Sequence, residues 1–156
     1  MISFALGHIC YLTAIYLKFY TGNLLTLLLP IGLAVAFALA AVLSGPLMKL
    51  KYGKFKGLSM LYAFLLSFMM FATGAALIVT RGKSVMWIVM FVGAVMFIIS
   101  DLILSTMYFT ERQVMQEDGS IIIERPKAMT PSLVILNHAT YYIAQFLLAM
   151  SIFVYA

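Results

Sequence analysis

The chain has 156 residues, of which 65% are hydrophobic and 10% are charged, whereas soluble domains are about half apolar and a quarter charged. A soluble protein of this length would be unable to bury so much apolar surface, so the composition indicates an integral membrane protein. The net charge of +5 does not indicate nucleic-acid binding, because the basic residues lie between apolar runs, where they set membrane orientation.

Five long apolar runs determine the predicted fold. They lack the period-two alternation of outer-membrane barrel strands, and helices satisfy their own backbone hydrogen bonds in lipid. The runs predict membrane helices over residues 2–20, 24–43, 58–80, 85–109 and 133–155. The expected fold is all-α, a single membrane domain built as a polytopic bundle of about five transmembrane helices. No basic segment precedes the first run, so a signal peptide is not expected.

Residues 110–130 form the longest polar stretch of the chain. Within it, the Asp118-Gly119 pair lies between two β-prone runs, a pattern typical of a hairpin turn. We therefore expect a small β-hairpin outside the membrane, between the fourth and fifth helices.

The distribution of basic residues predicts the orientation of the bundle. With five spans, seven lysine and arginine residues lie on the side that holds the N-terminus and three on the opposite side. Cytoplasmic loops are enriched in basic residues. The N-terminus is therefore expected in the cytoplasm, with a bacterial plasma membrane as the expected location.

The fourth apolar run contains a single acidic residue, Asp101, among isoleucine and leucine residues. A charged aspartate at the centre of a membrane helix costs about 2.5–3.5 kcal/mol on insertion scales. Asp101 is either a functional proton-binding group or a structural contact between helices, which would contribute ~0.6 kcal/mol. We favour function, because asparagine or serine would supply the same contact at a lower cost.

Further polar residues fall on shared helix faces by their spacing. Facing lipid would be costly for them, so we expect them to turn inward around Asp101 and to form a hydrated or hydrogen-bonded cavity. They are Ser105 and Tyr108 on the face of Asp101, Asn137, Tyr141 and Gln145 on one face of the fifth helix, His138 and Tyr142 beside that face, His8 and Tyr11 on the first helix, and Tyr62 and Thr73 on the third helix.

Motifs for common cofactors and reactions are missing from the sequence. It contains no Walker loop, GxGxxG, HExxH or GxSxG pattern. Neither a metal nor a cofactor is predicted.

Three short elements occur in order along the chain. They are Gly7-His8 with Tyr11 (GH-x-x-Y), Gly93-Ala94 through Phe97 to Ser100-Asp101 (GA-x-x-F-x-x-SD), and Thr140-Tyr141-Tyr142 with Ala144-Gln145 (TYY-x-AQ). Together they resemble elements of the YhhN family of membrane proteins, and the resemblance extends over nearly the whole chain.

The YhhN family includes lysoplasmalogenases, which hydrolyse the vinyl-ether bond of lysoplasmalogens to a fatty aldehyde and a glycerophospho-headgroup. The resemblance implies this activity, with a lysophospholipid-like membrane lipid as substrate. By its apolar environment Asp101 is the expected catalytic acid, and His8 is the second expected catalytic residue, although either His8 or His138 could serve as the base that accepts the proton of water. The residues expected to hold substrate oxygens or to orient Asp101 are Tyr11, Ser105, Asn137, Tyr141, Tyr142 and Gln145. Family members usually have further helices and a further acid upstream of the Gly-His element, and these are expected to be missing here.

Two other functions stay open on the sequence alone. The chain could be a non-catalytic lipid-binding or structural membrane protein, in which the polar residues only fix helix packing. It could also be a small transporter unit that uses Asp101 for proton coupling and works with a partner or as a homo-oligomer.

Overall fold

Five α-helices carry the fold in the computed structural model, which describes residues 2–19, 23–47, 50, 52–109, 112–115, 121–124 and 130–154. The helices are α1 (Ile2–Phe19), α2 (Leu25–Leu43), α3 (Lys56–Val79), α4 (Val85–Phe109) and α5 (Pro131–Phe153), and a 3₁₀ turn (Gly53–Phe55) precedes α3. The prediction of an all-α membrane bundle is confirmed, and α3 begins earlier than predicted because it continues directly from this turn.

The lengths of the helices suit a bilayer. Four of them, α2 to α5, are long and apolar enough to cross a membrane, and α1 has a shorter apolar stretch, Phe4–Phe19. The 25 residues of α4 extend about 38 Å at ~1.5 Å per residue, more than the ~30 Å hydrocarbon core. The chain is therefore an integral membrane protein, which accounts for the many exposed leucine and phenylalanine side chains.

Helix α3 is the centre of the bundle. It packs against α1, α2 and α4, and α5 packs against α4. Small residues allow these helices to approach closely: Ala34 and Ala38 of α2 are buried, and the Ser67 hydroxyl of α3 donates a hydrogen bond to the Ala34 carbonyl (3.3 Å). A Cβ atom added to Gly93 of α4 would lie 3.2 Å from Cβ of Leu147 on α5.

A tight turn reverses the chain between α3 and α4. Gly82 has a φ of +68°, in the left-handed region that glycine tolerates best. The Gly82 amide donates to the Leu77 carbonyl (2.9 Å) and the Arg81 amide to the Ile78 carbonyl (2.9 Å), so two carbonyls at the end of α3 are satisfied. This turn lays α4 antiparallel against α3.

A two-stranded hairpin connects α4 and α5. Strand β1 (Arg112–Met115) pairs antiparallel with β2 (Ile121–Glu124). Arg112 lies opposite Glu124, and Met115 opposite Ile121. The predicted hairpin is confirmed, while its predicted Asp118-Gly119 turn lies outside the described residues.

Candidate functional site

A cavity of about 900 Å³ lies at one end of the bundle. At this end α1, α3 and α5 begin and α2 and α4 finish. The lining comprises Phe4 of α1, residues 37, 41, 42 and 44 at the end of α2, residues 50, 52, 53 and 55 of the following connection, residues 59, 62, 63 and 66 of α3, residues 97, 98, 100–102, 104, 105, 108 and 109 of α4, and residues 137 and 141 of α5. The cavity predicted around Asp101 is therefore present, and all five helices contribute to it.

Asp101 lies in the wall of this cavity and is partly exposed. Phe109, at the end of α4, is eight positions further along the helix, so Asp101 lies roughly 12 Å below that end. Ser105, one helical turn nearer the end, also lines the cavity. From α3, Tyr62 also lines the cavity and lies within electrostatic range of Asp101 and of Tyr141.

A polar contact joins α4 to α5 beside Asp101. The Ser100 hydroxyl lies 3.1 Å from the side-chain oxygen of Asn137 and 3.3 Å from its carbonyl oxygen. The same carbonyl accepts a hydrogen bond from the Thr140 hydroxyl (3.0 Å). Because Ser100 precedes Asp101 directly, this contact fixes the rotation of α4 that turns Asp101 into the cavity.

Aromatic rings form the floor of the cavity. Phe97 is almost fully buried, and its ring meets Tyr141 edge-to-face with centroids 5.7 Å apart. Phe4 meets the ring of Tyr141 at 6.0 Å and that of Phe97 at 6.5 Å. Edge-to-face pairs of this kind each contribute about 0.5–1.5 kcal/mol beyond area burial, so the floor is apolar and well packed. The cavity thus combines one carboxyl group and several hydroxyls with apolar walls.

Comparison with known families identifies the chain. The family model of the YhhN family matches residues 1–152. The chain belongs to the YhhN family. Neither the curated proteins nor the solved structures gave a significant match.

The three sequence elements that resemble YhhN elements meet in the structure. The Gly-His element of α1 reaches the Ser-Asp element of α4 through the rings of His8 and Phe97, whose centroids are 4.7 Å apart. The Thr-Tyr-Tyr element of α5 reaches the same phenylalanine through Tyr141. Elements far apart in the chain thus converge on Phe97, one helical turn below Asp101.

His8 lies behind the cavity floor and does not line the cavity. It is 3% exposed, and its ring packs against Phe97 and, with centroids 5.9 Å apart, against Tyr62. Its Nδ1–H donates to the Phe4 carbonyl (2.7 Å). Nε2 is buried and has no hydrogen-bond partner among the described residues.

The other predicted site residues divide into two groups. Ser105, Asn137 and Tyr141 line the cavity together with Asp101. Tyr11, Tyr142 and Gln145 do not: Tyr142 is 64% exposed on the outer surface of α5, and the other two are half-buried on their helices.

Several cavity residues were not among the predicted site residues. Tyr62 and Ser59 enter from α3, and Ser44 from the end of α2. The hydroxyl of Ser59 is buried, and the described part of the chain offers it no hydrogen-bond partner. Tyr62 was expected among the polar residues that turn inward, whereas Ser59 was not. The spacing of Ser59, three residues before Tyr62 on the same face of α3, is the sequence signal that would have indicated it.

Proposed function

We propose that this YhhN protein hydrolyses the vinyl-ether bond of a lysoplasmalogen, with Asp101 as the proton donor. The observation that carries the proposal is the position of Asp101 in a cavity with apolar walls and hydroxyl groups, one turn above an aromatic floor. Apolar walls suit an alkenyl chain, and the hydroxyl groups near the end of the bundle suit the glycerol of the lipid. Family membership supports the same activity.

The first chemical step is protonation of carbon. The Asp101 carboxyl group gives its proton to the second carbon of the alkenyl chain, and the electrons of the double bond form the new C–H bond. The first carbon becomes an oxocarbenium ion, in which the ether oxygen shares the positive charge. The Asp101 carboxylate that remains stabilises this cation electrostatically.

The second step is addition of water. Water forms a bond to the first carbon and gives its proton to the Asp101 carboxylate, which restores the acid. The resulting hemiacetal transfers its hydroxyl proton to the ether oxygen as the C–O bond breaks. The products are a fatty aldehyde and the glycerol hydroxyl of the headgroup, and Asp101 ends in its starting state.

The remaining residues of the site position these groups. Tyr141 and Ser105 supply hydroxyls to the cavity, and Asn137 fixes α4 through its contact with Ser100. His8 acts as a positioning residue in this proposal, because its ring supports Phe97 and Tyr62 from behind.

The decisive experiment supplies the purified protein in detergent with a defined lysoplasmalogen and measures aldehyde by trapping and mass spectrometry. We expect aldehyde from the vinyl ether and none from the matching saturated ether, which has no double bond to protonate. A folded protein that releases no aldehyde from either lipid would refute the hydrolase proposal.

Two substitutions at His8 separate positioning from proton transfer. His8→Phe keeps a ring against Phe97 and Tyr62 but removes both nitrogens, so we expect aldehyde release within about tenfold of wild type, since one lost hydrogen bond contributes about 1 kcal/mol. His8→Ala removes the ring and should lower release more strongly.

The matched control for these variants is His138→Ala. His138 makes the same contact to its own helix, from Nδ1 to the Val134 carbonyl (2.8 Å), but it is exposed. Loss of activity in His8→Phe as complete as in His8→Ala would instead make a nitrogen of His8 part of the chemistry.

The proposal also includes the orientation of the protein in the membrane. If all five helices span the membrane, the sequence assigns seven basic residues to the side that holds the N-terminus and three to the other side. By the positive-inside tendency, the N-terminus and the cavity face the cytoplasm of a bacterial plasma membrane, and the lipid is taken from the cytoplasmic leaflet.

A further inference from the structure

The cavity is too short for a complete lipid tail below Asp101. Its floor at Phe97 lies four residues below Asp101 on α4, which is roughly 6 Å of helix. A membrane lipid tail reaches across about half of the ~30 Å hydrocarbon core, roughly 15 Å. If the bond next to the headgroup lies at Asp101, most of the tail must leave the cavity sideways.

In the described part of the chain, α1 does not pack against α5, nor α2 against α4, although all four helices line the cavity. The rings of Phe4 and Tyr141 bridge the first pair. The second pair leaves a gap.

Helices α2 and α4 each pack against α3, but over their described lengths they do not pack against each other. Both nevertheless line the cavity, α2 with Phe37 and Ala41 and α4 with Ile98 and Leu102. Leu102 lines the cavity and is 44% exposed, and Ile99, one helical turn earlier on α4, is exposed outside the cavity. Leu102 therefore lies at the boundary between the cavity and the outer, lipid-facing surface.

At the end of the bundle, aromatic rings cover the gap between α2 and α4. The ring of Tyr52, in the connection after α2, packs against Phe109 at the end of α4 with centroids 5.0 Å apart. The connection is held in place by a hydrogen bond from the Leu50 amide to the Gly45 carbonyl (2.7 Å), and Leu50 is itself buried. A tail between α2 and α4 therefore has apolar side chains above it and lipid beside it.

We propose that the cavity opens to the bilayer between α2 and α4 and binds a single-chain membrane lipid whose tail leaves the protein between Ala41 and Leu102. The occupant is a lipid because both sides of the gap are apolar and lie within the membrane-spanning part of the helices. The proposal rests on the proposed function for the position of the reacting bond at Asp101. Ala41 and Leu102 then act on the tail and determine which chains the cavity accepts.

The test uses a lipid that the protein cannot hydrolyse, so that binding is measured apart from activity. The probe is a saturated 1-O-alkyl lysophosphatidylcholine with a diazirine in the middle of its chain, photolysed with the purified protein in phosphatidylcholine vesicles. Labelled residues are mapped by mass spectrometry, with and without excess unlabelled lipid of the same type. We expect label at Leu102 or Ala41 that falls roughly tenfold when the competitor is present at about ten times its dissociation constant.

Two tryptophan substitutions at adjacent positions of α2 test whether the label at Leu102 depends on the gap. Ala41→Trp fills the gap and should abolish the competed label at Leu102. Ala40→Trp is the matched control, since Ala40 is exposed and does not line the cavity, and it should leave that label unchanged. Ile99 is exposed on α4 outside the cavity, so label there should not respond to competitor.

The outcomes distinguish this proposal from the hydrolase. Competed label only at the floor residues Phe97 and Tyr141, or equal uncompeted label at Leu102 and Ile99, would refute the lateral opening even if aldehyde is released from lysoplasmalogen. Competed label at Leu102 from a protein that releases no aldehyde would support the opening and leave the hydrolase proposal refuted.

Discussion

Replacing Asp101 with asparagine should lower aldehyde release from lysoplasmalogen by roughly 10²–10⁴-fold, the usual contribution of a general acid. Asparagine has nearly the same shape, so it keeps the packing of α4, but its amide cannot deliver a proton to carbon. The measurement is the initial rate of aldehyde formation at saturating lipid. Because the loss concerns the chemical step, kcat should fall while KM changes little.

Two controls accompany this variant. The unfolding midpoint of Asp101→Asn should stay at or above the wild-type value, because an acid is removed from apolar surroundings. Binding of the saturated ether lipid should persist, since the cavity walls are unchanged. Aldehyde release that survives Asp101→Asn within about threefold, below the ~10²-fold minimum for a general acid, would remove Asp101 from the mechanism even if the protein is a hydrolase.

Much of this arrangement could be predicted from the sequence because hydropathy and periodicity are local properties. Apolar runs predicted all five helices, and a face shared at helical spacing correctly brought Ser105 together with Asp101. Asn137 and Tyr141 were likewise predicted to meet Asp101, and both line the cavity. An isolated acid in an apolar run was sufficient to locate the centre of the cavity, because such a group is too costly to face lipid.

The depth of a side chain in the bundle, and the side of the helix on which it lies relative to the cavity, could not be predicted in the same way. Gln145 shares a face with Asn137 and Tyr141, but it lies one helical turn beyond Tyr141, below the floor made by Phe97. Tyr142 is rotated by one residue from that face and is exposed on the outside of α5. Periodicity assigns residues to a face, whereas the depth of a cavity depends on which rings of other helices close it, and that is a property of the tertiary packing.

The position of His8 behind Phe97 also could not be predicted from periodicity within one helix. Its position on α1 indicated a residue near the polar centre, and its ring is indeed within one side chain of the cavity. The intervening ring is that of Phe97, a residue whose role as a barrier depends on contacts between α1, α4 and α5. No pattern within a single helix carries that information.

Replacing Gly93 with leucine should destabilise the protein by about 1–3 kcal/mol, the usual cost of adding side-chain volume to a packed interface. Gly93 is buried where α4 approaches α5, and an added Cβ would lie 3.2 Å from Cβ of Leu147 and 3.2 Å from side-chain atoms of Leu148. The free energy of unfolding, measured by titration with a denaturing detergent in mixed micelles, reports the effect.

The matched control is Gly32→Leu on α2. Gly32 is exposed and has no atom within 4 Å of an added Cβ, so the larger side chain meets lipid, and the helix gains because glycine is a poor helix former by about 1 kcal/mol. Gly93→Leu should also weaken aldehyde release, since parting α4 from α5 breaks the Ser100–Asn137 contact and turns Asp101 away from the cavity. Equal stability of the two variants would show that the approach of α4 to α5 does not hold the site together.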